Sequence, residues 1–150
     1  MKKNKPSVED DNAIEASEAD YLYIQASALS GAGQGLFTAI SIYREEVICI
    51  YTGEILSEHQ IALRVKKNQD KYFILMLDGS ILDSMKTNCF AKYANDAQAY
   101  ASSGLKNNAK ITINEAGEVC LTATRNIKVG EEIYCDYGRK YWKKHAVNLL

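Results

Sequence analysis

A chain of 150 residues with 18 basic and 19 acidic side chains has a net charge of −1, which removes any bulk electrostatic case for nucleic-acid or membrane-surface binding. Its length suits one domain with a real core, and 47% hydrophobic and 25% charged residues describe an ordinary globular composition. No apolar run approaches membrane-spanning length, and acidic rather than apolar residues follow Met1-Lys2-Lys3-Asn4-Lys5, so no secretory signal and an intracellular protein, cytoplasmic or nuclear, are expected.

Residues 1–19 are polar and acidic, with Glu9, Asp10, Asp11, Glu15 and Glu18, and lack apolar periodicity. They are expected to form a mobile tail, with the domain running from residue 20 to 150. A short strand is predicted at Tyr21-Leu22-Tyr23-Ile24, followed by the loop Ser30-Gly31-Ala32-Gly33-Gln34-Gly35. Leu36-Phe37 and Val47-Ile48-Cys49-Ile50-Tyr51 read as strands, the second apolar throughout and so buried on both faces. Gly53 ends it.

Ser57 with Gln60 three residues on forms a capping-box pattern that opens a helix to about Lys67. Its apolar face, Ile61, Leu63 and Val65, is modest. Asp78-Gly79 between two apolar runs is a hairpin signal, and a short helix is placed at Thr87 to Tyr93. The clearest alternation follows. Ile111 and Ile113 oppose Lys110, Thr112 and Asn114; after the turn Glu115-Ala116-Gly117, Val119, Leu121 and Ala123 face in and Thr122 and Thr124 out. The end reads as a helix, with Tyr141, His145 and Leu149 on one stripe and Trp142, Ala146 and Leu150 on the next. Many short strands and few helices predict a mainly β, α+β domain of small twisted sheets.

The cysteines, Cys49, Cys89, Cys120 and Cys135, form no Cys-x-x-Cys pair, so neither a zinc site nor a disulfide framework is expected. Small buried hydrophobes is the reading they favour. With only His59 and His145, a Cys-His or Ser-His-Asp site has few partners. The glycine loop lacks the Gly-Lys-Ser/Thr of a phosphate loop, and Leu36 occupies the third glycine position of a dinucleotide fingerprint. A tight β-turn explains it by itself; close backbone approach to a ligand is the alternative. Tyr51-Thr52-Gly53-Glu54 ends a buried strand, where Tyr51 caps a core and Glu54 pairs with a nearby base. Asn95-Asp96 reads alone as a turn or helix cap.

The order of these pieces carries more than any one of them. From Tyr21 to Trp142 the chain resembles the SET-domain family of protein lysine methyltransferases. The matching segments are Gly33-Gln34-Gly35-Leu36-Phe37, Tyr51-Thr52-Gly53-Glu54, Leu82-Asp83, Asn88 and Tyr93-Ala94-Asn95-Asp96-Ala97. Asn108-Ala109, the run Ala123 to Ile133 and Asp136-Tyr137-Gly138 complete them. The resemblance implies small curved β-sheets with the C-terminal segment threaded under a preceding loop as a pseudoknot. It implies S-adenosylmethionine as cofactor, contacted by Gly33, Gln34, Gly35 and Leu36 through backbone and by Asn95 through its side chain. Asp96 stands where the family usually has histidine, a position whose cofactor contact is made largely by backbone.

Methyl transfer from a sulfonium to an amine is an in-line displacement, so positioning matters more than acid–base power. The attacking amine must be neutral, and a narrow aromatic channel favours that form. By resemblance Tyr51 and Tyr137 line this channel, with Tyr137 the catalytic residue. Cys135 stands where the family commonly has phenylalanine or tyrosine, so room for more than one methyl group is expected unless Tyr134 or Tyr100 fills the gap. No cysteine-rich zinc segment matches after the core; a helix over residues 138–150 is expected in its place, with Trp142 either covering the cofactor or packing as core. Residues 57–70 correspond to the variable insert that lines the peptide groove, and are basic through Arg64, Lys66 and Lys67, with Lys71 just beyond. Glu131, Glu132 and the acidic tail would better suit a histone tail. The substrate implied is a lysine-bearing protein or peptide, with no direct nucleic-acid or membrane partner. The alternative is a degenerate SET domain that binds peptide or cofactor without turnover.

Overall fold

The computed structural model describes residues 12–76 and 78–136, the side chains of residues 100–102 and 136 excepted. The expected C-terminal helix, with Tyr137 and Trp142, lies outside the described residues. Three small sheets frame the described residues. In the first, β1 (Leu22–Ala26) pairs antiparallel with β2 (Gln34–Thr38), and β2 with β9 (Glu132–Ile133). In the second, β10 (Cys135–Asp136), β7 (Ala109–Ile113), β8 (Val119–Ala123) and β3 (Val47–Ile50) lie in that order. The third runs β4 (Glu54–Ile55), β6 (Ile81–Asp83), β5 (Phe73–Leu75).

Local chemistry accounts for most of these elements. Gly79, at φ +86°, turns the β5–β6 hairpin, and Asp78 Oδ1 accepts from the Ser80 amide at 2.9 Å. Helix α2 (Glu58–Lys66) has the predicted capping box: Ser57 Oγ accepts from Gln60 N at 3.2 Å, and Gln60 Oε1 from Ser57 N at 2.9 Å. None of its residues is fully buried. Instead Arg64 ties it to the third sheet, donating to Asp83 Oδ2 at 2.6 Å and Glu54 Oε1 at 3.3 Å. Leu36, Ile48, Leu82, Leu121 and Ile133 form the shared core with Tyr51, Cys49, Cys89 and Cys135. All four cysteines are buried, and burial pushes the Cys49 thiol up.

The C-terminal segment is threaded. Cys135 N donates to Asn95 O on one side at 2.8 Å. On the other, β10 pairs parallel with β7, Cys135 opposite Ala109. The chain joining these flanks, including the 3-10 helix Ala97–Ser103, therefore crosses over the strand between them. Asn108 locks the crossing. Its fully buried amide donates to Glu132 O at 2.9 Å and accepts from Tyr134 N at 2.8 Å.

Three expectations change. Residues 12–19 are not tail: Val47 N donates to Asn12 O at 2.9 Å, Ala13 bridges Val47, and Glu18 opens α1 (Glu18–Tyr21). Backbone pairing needs no apolar periodicity, and Ile14, which packs against the core, is too isolated to make a periodic pattern. Glu18 Oε2 accepts from Ile50 N at 3.0 Å, and burial, offset in part by that bond, raises its carboxyl above the ordinary range. Second, the helix expected over Thr87 to Tyr93 contracts to a 3-10 turn, Ala91–Tyr93. Lys92 Nζ donates to the carbonyls of Ser84, Met85 and Thr87 and lies over the Tyr72 and Tyr93 rings, so the preceding segment folds around a side chain instead of coiling. Third, Ile113 is exposed at the tip of β7, while Cys120, on the supposed outer face of β8, is fully buried beside Thr112 and Thr122.

Candidate functional site

The glycine loop joins β1 to β2 over residues 27–33 and is not a tight two-residue turn. Ser27 N closes it onto Gly33 O at 2.8 Å. Gly31 and Gly33 take φ +83° and +74°, and no atom lies within 4 Å of where a Cβ would stand on either. Their left-handed backbone is natural to glycine, and this face of the loop stays open to an approaching molecule. Gln34 O, at the start of β2, accepts from Asn95 Nδ2 at 2.9 Å. Gly35 is buried close to Glu132, and Leu36 is fully buried beneath the loop.

The Asn95-Asp96 pair divides its work. Asn95 faces the loop with its side chain and the threaded strand with its carbonyl. Asp96 is 1% exposed and caps the 3-10 helix: Oδ1 accepts from Gln98 N and from Asn107 Nδ2, each at 2.9 Å. Asn107 returns the support, its Oδ1 accepting from Ala97 N at 2.8 Å. The carboxylate is thus engaged in local structure. An aspartate here keeps the backbone in place through a cap, the role its sequence alone suggested.

Tyr51 and Cys135 belong to one apolar cluster with Leu82 and Cys89. Tyr51 is 7% exposed, its amide donating to Val119 O at 2.9 Å. Gly53, two residues on, permits close packing, since a Cβ there would lie 2.3 Å from the Asp83 carbonyl oxygen.

Tyr134 does not join Tyr51 and Cys135. Successive residues of an extended segment point to opposite faces, and Tyr134 packs against Leu29 and Ala97, with Ala32 alongside, under the glycine loop. Its hydroxyl donates to Glu132 Oε1 at 2.9 Å. Burial first, then this bond and the negative charge, raise its pKa well above that of a free phenol. Tyr134 therefore belongs to the loop side of the strand and not to the cluster around Cys135. Tyr100 falls in the 3-10 helix, with its side chain outside the described residues.

Sequence reasoning misjudged the acidic pair. Glu132 is 6% exposed and turned inward: Oε2 accepts from Ser27 Oγ at 2.6 Å, and Oε1 from Ala28 N at 2.8 Å. Glu131 accepts from Lys128 N at 2.8 Å and pairs with Arg125 at 3.6 Å. Neither carboxylate is a free surface for a basic peptide. Arg64 is likewise engaged, while Lys66, Lys67 and Lys71 stay exposed. Asn108 was read as part of a matching motif but not as the lock on the threaded strand, and Asn107 and Ser27 escaped notice as site residues; the partners of these residues lie far along the chain or in neighbouring loops. A cavity of about 420 Å³ lies elsewhere, on the outer face of β7 and β8 near Arg44, Lys110 and Thr122, and none of the expected site residues lines it.

Comparison with known proteins gives a consistent result. The SET-domain family model matches residues 33–138. The curated histone-lysine N-methyltransferase EZH2 of Chaetomium thermophilum is 26% identical over 139 residues, covering 86% of this chain and 9% of the relative. The chain thus spans about a tenth of that relative's length. Among solved structures, ctPRC2 in an autoinhibited conformation bound to S-adenosylmethionine aligns with a TM-score of 0.66 and 26% identity over 85% of this chain and 17% of that one. A humanized mutant of the Chaetomium thermophilum Polycomb Repressive Complex 2 bound to the inhibitor GSK126 gives 0.63 and 28% over 78% and 15%.

Proposed function

The chain belongs to the SET-domain family, and on that footing we propose that it transfers a methyl group from S-adenosylmethionine to the side-chain amine of a lysine in a protein substrate, a histone tail being the first candidate. One observation carries the reading: a single threaded strand has the glycine loop on one side, through Tyr134, and the Tyr51–Cys135 cluster on the other, and leads directly to Tyr137. An in-line displacement puts nucleophile and leaving group on opposite sides of the transferred methyl, and a two-sided element suits that arrangement.

The residues present fit the cofactor. The open face at Gly31 and Gly33 leaves backbone groups reachable, and Asn95 stands at the loop's end. Gly33, Gln34, Gly35, Leu36 and Asn95 would hold it, with Asp96 contributing backbone alone; Trp142 would cover it. When bound, the cofactor supplies an electrophilic methyl on a sulfonium. Tyr51, in its apolar surroundings, would exclude water from the lysine and favour the neutral amine. Tyr137 would orient that amine and place its hydroxyl near the reacting carbon. Cys135 is small, so the pocket would accept more than one methyl group.

No helix among the described residues is long and apolar enough to cross a membrane, and an intracellular site of action goes with a lysine-bearing protein partner. The test is a labelled-methyl assay on histones and whole lysate, followed by mass spectrometry. Wild type should label protein, with products beyond monomethyl-lysine, and Tyr137→Phe should lower the rate by about a hundredfold or more, as for loss of a key positioning group. Cofactor binding in calorimetry without any labelled product would instead identify a binding module without turnover.

A further inference from the structure

We propose that Glu132 is a positioning residue for the cofactor, a carboxylate clamp that fixes the root of the glycine loop to the strand bearing Tyr134 without itself touching the ligand. The inference rests on the reading of that loop as the cofactor site. A buried carboxylate is an expensive way to fill a core. Among the described residues Glu132 has no cation within ion-pair distance, and neutral donors alone satisfy it. What those donors are is informative. Ser27 Oγ and the Ala28 amide are the first groups of the loop, and the Tyr134 hydroxyl lies on the threaded strand.

The clamp is reinforced on each side. Ser27 Oγ, while donating to Glu132, accepts from Leu29 N at 3.1 Å, and Leu29 packs with Tyr134. Gly35 is the clearance: a Cβ there would lie 2.3 Å from Glu132 Oε2, so a side chain at that position would displace the carboxylate. Glu132 thus holds the start of the loop and Asn95 its end, at Gln34. The backbone between them presents its groups in one geometry. Three hydrogen bonds converge on one carboxyl group, and a preorganised loop loses less entropy on binding.

Two readouts test this on the whole chain: amide hydrogen exchange of residues 28–34, and calorimetry with S-adenosylmethionine alone. Glu132→Ala should speed exchange across the loop at least tenfold and raise the dissociation constant about tenfold. Glu132→Gln, which keeps an acceptor but loses the charge, should raise it about threefold with little change in melting temperature. Should Glu132→Ala fail to fold, Ser27→Ala and Tyr134→Phe each remove one donor and should each speed loop exchange severalfold. Unchanged exchange and affinity within twofold of wild type, in folded variants, would overturn the clamp. If wild type binds no S-adenosylmethionine while loop exchange still responds to Glu132, the clamp stands and its assignment to the cofactor falls.

Discussion

Two glycines stand at the two ends of the site, and a methyl group added to either would strike a neighbour at 2.3 Å. The neighbours differ in kind. At Gly53 the obstacle is the carbonyl of Asp83, backbone inside a sheet; at Gly35 it is the carboxylate tip of Glu132. Backbone cannot yield without disturbing its ladder, whereas a side chain can rotate away. The wall beside Tyr51 is therefore rigid by construction. The glycine-loop side is held by side-chain bonds and can be tuned.

The largest effect is expected at the rigid end. Gly53→Ala should destabilise the protein by about 3 kcal/mol, the upper part of the usual range for overpacking, measured by chemical denaturation; a loss under about 1 kcal/mol would break the contrast. At the adjustable end, Gly35→Ala should cost about 2 kcal/mol alone and little in a Glu132→Ala background, since neighbours in contact couple strongly. Strict additivity in that cycle would mean the obstacle at Gly35 is something other than the carboxylate.

The smallest effect concerns Glu18, the counterpart of Glu132 near Tyr51, which accepts from the Ile50 amide. Burial raises its folded pKa above the ordinary 4.5, so the native state binds the proton more tightly than the unfolded chain. Its contribution is complete below 4.5 and is lost as pH rises through the folded value. Glu18→Gln, neutral throughout, should gain melting temperature relative to wild type between pH 4 and pH 7. A constant difference across that range would mean Glu18 is not desolvated.

What the sequence made legible follows the range of the interactions. The Ser57–Gln60 cap and the Asp78-Gly79 turn are complete within a few residues, and both stand as expected. The order of short motifs conveyed the family and its threaded topology. The Glu132 contacts reach Ser27, 105 residues away, and no local pattern could separate that carboxylate from the exposed-looking Glu131 beside it. Asp96 was legible in part: its capping habit could be read, but its partner Asn107 lies across a loop. Tyr134 and Cys135, adjacent in sequence, went to opposite faces, which strand alternation implies once the strand is known.

The threading has a consequence for synthesis. In order of synthesis the glycine loop precedes Asn95, which holds its far end, by about sixty residues, and Glu132, which holds its root, comes later still. The strand that carries Glu132 toward Tyr137 must also find its channel between Asn95 and Ala109. A nascent chain stopped short of that strand would carry every glycine of the loop and none of its C-terminal support. The loop's geometry would then be set in one step, when that strand is threaded.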